Sequence, residues 1–87
     1  MTVGERIEDF GFKLVSHNDI TGIFIYENQD YNQRVYLAMN SPGAETRGGL
    51  YTETISIHEN RIMPIGLSFA ECRAFLDKAD EIRNNIK

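Results

Sequence analysis

The sequence predicts an α+β fold: a four-stranded antiparallel sheet, a meander, with a short N-terminal helix and a long C-terminal helix packed on one face. Three observations carry this expectation. Capping-box patterns, Thr2 with Glu5 and Ser68 with Glu71, mark helix starts near the two ends of the chain. Between them lie four runs rich in β-branched and aromatic residues. The connections "NDIT", "NQDYN" and "SPGAETRGG" are dense in turn formers, and short connections favour antiparallel neighbours.

The first helix is expected near residues 3 to 10, where Val3, Ile7 and Phe10 form a short stripe and Gly11 suits the exit. Strands follow near 12 to 17, 22 to 28, 34 to 40 and 50 to 58. The loop 41 to 49 holds one Pro and three Gly, a composition that predicts mobility. In the last helix, Cys72, Phe75, Leu76, Ala79, Ile82 and Ile86 recur at helical spacing, so one face is buried. The 87 residues make a single domain, 1 to 87, with a limited core.

The strand 22 to 28 carries large apolar groups at both odd and even positions, so register decides which of them are buried. Turns centred near residues 30 and 45 pair Ile25 with Val35, Ile23 with Leu37, Leu37 with Glu53 and Val35 with Ile55. The helix side then holds Ile23, Ile25, Val35, Leu37, Met39, Tyr51, Ile55 and Ile57, joined by Phe12 and Leu14. Glu53 falls on that side too, where a carboxylate needs a cationic partner or the sheet margin. The open side holds Phe24, Tyr26, Arg34, Tyr36, Ala38, Thr52, Thr54, Ser56 and His58, with Lys13, Val15 and His17 from the edge. Of these, Phe24, Tyr26, Arg34, Tyr36, Thr52, Thr54 and His58 are the candidate binding residues.

A face that mixes aromatic and polar groups has three readings. It is a protein contact, made with a second copy in a homodimer or with a larger protein in the manner of a small inhibitor, because Tyr, Phe and Arg dominate interface energies. It is a solvated sheet held by cross-strand pairs. Or it is a platform for single-stranded nucleic acid, with bases stacked on Phe24, Tyr26 and Tyr36 and phosphates met by Lys13, Arg34, Arg47 and Arg61. The net charge of -4 ranks the third reading last. The acidic excess lies in residues 1 to 30, which hold six acids against Arg6 and Lys13.

Four strands followed by one long helix that opens through "IGLSFAE" resemble the single-stranded-DNA-binding coactivator family known as positive cofactor four. The likeness covers about residues 62 to 86 and implies a dimer that binds DNA on its sheets. The strands here lack that family's dense basic residues, and the N-terminal helix is an addition. The likeness is one of topology, which does not fix function.

No pattern points to catalysis, a cofactor or a metal. Ser16, His17 and Asp19 are close in sequence, but strand neighbours point to opposite faces and no "GxSxG" elbow accompanies them. His17 and His58 with the lone Cys72 make no metal shell. Cys72 reads as a small core residue. "SPGAETRGG" lacks the Gly-Lys-Ser/Thr ending of a phosphate loop. The expectation is a non-enzymatic binding or regulatory module. Short apolar runs, an acidic start and a single cysteine place it in the cytoplasm, off the membrane.

Overall fold

The structure, a computed structural model, describes residues 1–39, 48–54 and 66–85. The elements run α1 (Val3–Asp9), β1 (Lys13–Asn18), β2 (Ile23–Asn28), β3 (Gln33–Ala38), β4 (Gly49–Thr54) and α2 (Phe69–Asn85). The strands form one antiparallel sheet in the order β1-β2-β3-β4, the predicted meander. The loop residues 41 to 47, the expected continuation of β4 through Ile55, Ser56, Ile57 and His58, and Arg61 and Ile86 lie outside the described residues.

Both helices start as the capping boxes require. The Thr2 hydroxyl accepts from the Glu5 N–H at 3.1 Å while the Glu5 carboxylate accepts from the Thr2 N–H at 3.1 Å. Ser68 and Glu71 repeat the exchange at 2.8 and 3.1 Å. Helix α1 ends in a Schellman arrangement: the Gly11 N–H donates to the Glu8 carbonyl and the Phe12 N–H to the Ile7 carbonyl. That turn needs the left-handed backbone that Gly11 supplies at φ 95. It also directs Phe12, fully buried, toward Ile7 and the core.

The core joins Ile7, Phe12, Tyr26, Val35, Leu37 and Met39 to Ala74, Phe75 and Ala79 of α2. Phe75 is its centre, meeting the Phe12 and Tyr26 rings edge to face, each at 5.2 Å between centroids. Between the helices, Arg6 Nη1 donates to Asp77 Oδ2 at 2.8 Å, a half-exposed pair of modest worth. Leu76, expected on the buried stripe, is 54% exposed. One residue past Phe75 is about 100° further round the helix, which takes it off the core side. Cys72 is half-buried.

The expected register is corrected at both hairpins. Tyr26 faces Val35 and Phe24 faces Leu37, so the even residues of β2 share a side with the odd residues of β3. On β4, Leu37 faces Leu50 instead of Glu53, and Val35 faces Thr52 instead of Ile55. The helix side therefore holds Phe24, Tyr26, Leu50 and Thr52, while Ile23, Ile25, Tyr51 and Glu53 move to the open side. The physical cause at β2–β3 is the connection itself. Four residues, 29 to 32, link the last pair Asn28 and Gln33, with Asn32 left-handed at φ 50. The Asn28 carboxamide oxygen accepts the Asp30 N–H at 3.1 Å and fixes that turn. A turn one residue longer than expected exchanges every side chain of β2 between faces.

Phe75→Ala is expected to cost about 3–5 kcal/mol in urea unfolding, whereas Leu76→Ala costs about 0.5 kcal/mol or less. A reversed ranking contradicts the packing of α2 described above.

Candidate functional site

The open face is built from residues of all four strands, with Lys13, Ser16 and Asn18 of β1 along one edge. Strand β2 contributes Ile23, Ile25 and Glu27, β3 contributes Arg34, Tyr36 and Ala38, and β4 contributes Gly49, Tyr51 and Glu53. Both helices pack on the other side, against the core cluster. Ala38 is buried yet stands outside that cluster, as its position on the opposite face requires. Beside it, the Tyr51 side chain leans over Gly49, where an added Cβ would meet two ring carbons and the hydroxyl oxygen, each at 3.5 Å. Tyr51 thus shields a strand glycine, and its ring remains half-exposed.

A charged belt crosses the same face. Arg34 donates from Nε and Nη2 to Glu27 Oε1 at 3.1 and 2.8 Å, and its Nη1 stands 3.6 Å from Glu53 Oε1. The Tyr36 hydroxyl donates to Glu53 and accepts from Arg34 Nη1. These bonds, with Tyr36 and then Glu27 the main contributors, raise the guanidinium above its ordinary pKa. Lys13 faces Glu27 from β1, so the row Lys13, Glu27, Arg34 and Glu53 alternates in sign across the sheet and sums to zero, which gives phosphate no net attraction.

The structure divides the predicted binding residues. Arg34 and Tyr36 are on the open face and in contact. Phe24, Tyr26 and Thr52 are corrected to the helix side, where Thr52 accepts a hydrogen bond from the Gln33 side chain at 2.9 Å. Thr54 pairs with Gln33 across the β3–β4 ladder, and His58 lies outside the described residues. His17, expected on the open face, is also on the helix side. A β-bulge between Leu14 and Ser16 places Leu14 opposite Tyr26 and His17 opposite Phe24, so both β1 residues point the same way. The His17 ring stacks on Phe24 at 3.9 Å and its Nε2 lies 3.1 Å from Asp19 Oδ1.

Sequence reasoning passed over Ile23, Ile25, Glu27, Tyr51 and Glu53 as open-face residues. The signal that locates them is charge: facing Glu27 with Arg34, and Arg34 with Glu53, reproduces both observed registers. Among the described residues, no group of His, Cys, Asp and Glu is placed to hold a metal ion. Among them too, no helix is long and apolar enough to cross a membrane. Comparison of the chain with protein-family models, curated proteins and solved structures finds no match. The likeness to positive cofactor four accordingly rests on the order of elements alone.

Burial, with a smaller contribution from the Glu81 carboxylate, pushes the Tyr26 phenol above its ordinary pKa of 10.0. The folded protein thus holds this proton more tightly than the unfolded chain. The resulting stability is whole below pH 10.0 and is lost as pH rises through the native value. Unfolding followed from pH 9 to 12 should show the parent losing stability faster than Tyr26→Phe. Parallel curves would mean that the hydroxyl is not desolvated.

Proposed function

We propose that this protein is a small non-enzymatic module of the cytoplasm that presents its open sheet face to another protein. The partner is a second copy or a larger protein whose surface it occupies and regulates. One observation carries the reading: Ile23, Ile25, Tyr36 and Tyr51 share the face opposite both helices. Apolar and aromatic side chains around a paired Arg match the composition of interface centres, where unpaired charge is depleted. The Glu27–Arg34–Glu53 belt has its charges already joined within one subunit, which reduces the desolvation penalty of covering them.

The register also weakens the single-stranded nucleic acid alternative. Phe24 and Tyr26, two of its three stacking rings, lie on the helix side, and Arg34 is engaged by carboxylates. Sedimentation over a wide concentration range, with a labelled oligonucleotide titrated at two salt concentrations, separates the readings. The Tyr36→Ala, Tyr51→Ala double variant should still fold cooperatively, at a cost of about 1–2 kcal/mol for the lost cross-strand pair and hydroxyl bonds, because neither ring belongs to the core cluster, and should lose association. Association that the double variant keeps would move the contact elsewhere. A monomer whose oligonucleotide affinity falls steeply with salt would replace this reading with the nucleic acid one.

A further inference from the structure

A cleft of about 490 Å³ opens on the helix side of the sheet, between the first hairpin and the two helices. That volume is in the range of small-molecule sites. Its walls are apolar, formed chiefly by Ile7, Phe12, Phe24, Met39 and Ile82. The bulge in β1 widens the aromatic wall by turning His17 onto Phe24.

Tyr26 stands in this cleft, 4% exposed, and its hydroxyl has no hydrogen-bond partner among the described residues. No side-chain polar atom among the described residues is both sealed and unpartnered, so the hydroxyl opens onto the cleft. A phenol hydroxyl that opens onto an otherwise apolar cleft offers an occupant one donor and one acceptor. The mouth adds a sign preference. Glu8, Asp19 and Glu81 line it against Lys78 and His17. Lys78 is joined to Glu81 at 3.2 Å and His17 to Asp19 at 3.1 Å, which leaves Glu8 without an ion pair among the described residues.

We propose that this cleft binds a small organic amine with an aromatic or branched aliphatic body. The body fills the space between Phe24, Met39 and Ile82, the polar group bonds the Tyr26 hydroxyl, and the positive charge faces the acidic mouth. This site is on the other side of the sheet from the proposed protein contact and does not depend on it.

Two probes with the same naphthalene body and opposite charge test the proposal: 1-naphthylmethylamine and 1-naphthaleneacetate, titrated into the full chain by amide-shift NMR. The amine should shift residues of the cleft and bind about fivefold or more tighter than the acid. Tyr26→Phe should weaken the amine by about fivefold. Gly4 supplies a variant that tests occupancy without removing core. It lines the cleft on α1, and a Cβ there meets nothing nearer than Thr2 Oγ1 at 3.9 Å. Gly4→Leu should melt no lower than the parent, since Leu is a better helix former, and should lose the amine. Tyr36→Ala should bind it as the parent does. Absence of cleft shifts at millimolar amine, equal affinity for the acid, unchanged binding in Tyr26→Phe, or full binding in a folded Gly4→Leu would each overturn the proposal.

Discussion

Asn28 and Gln33 close the β2–β3 hairpin as its last pair, and the positions of both helices depend on them. Each is a polar side chain buried to 2% exposure or less, and each is satisfied. Asn28 donates to the Phe10 carbonyl at the end of α1 at 3.0 Å and accepts from the turn. Gln33 donates to Thr52 on β4 at 2.9 Å and to the Gly66 carbonyl, just before α2, at 3.1 Å. Buried amides without partners cost about 1–3 kcal/mol each, so only an arrangement that meets all four bonds is favourable. A one-residue slip carries Asn28 to the open face and breaks both of its ties.

That constraint explains what the sequence made legible and what it did not. Helix starts are local: Ser68 and Glu71 bond each other, and three residues of spacing are enough to read them. Element order follows from turn chemistry in the same way. Register is different, because β2 offers Ile23 and Ile25 on one parity and Phe24 and Tyr26 on the other. Hydrophobicity alone does not choose between two apolar sides. The choice is made by Asn28, which reads as a turn residue in sequence but is the buried end of a strand. Charge complementarity held the same information, since Glu27 and Arg34 face each other only in the observed register. The bulge at Val15 left no comparable mark, and so the placement of His17 was not legible.

The register divides the aromatic residues between two surfaces. Tyr36 and Tyr51 remain with Ile23 and Ile25 on the open face, beside a charged belt satisfied within the sheet. Phe24 and Tyr26 instead meet the helices, where Tyr26 both packs on Phe75 and lines the cleft. An aromatic and polar patch read as one contact surface is thus two, separated by the thickness of the sheet. The protein contact proposed above uses the open face, and the proposed amine site uses the cleft.

Nuclear Overhauser contacts to the Phe75 ring test the register most directly. The ring centroids of Tyr26 and Phe75 are 5.2 Å apart, so cross-peaks between these two side chains are expected. The Asn28 carboxamide protons should likewise show contacts to the end of α1 near Phe10, to whose carbonyl they donate at 3.0 Å. Cross-peaks from the Ile25 methyl groups to Phe75, in place of those from Tyr26, would establish the opposite register and contradict the assignment of both surfaces.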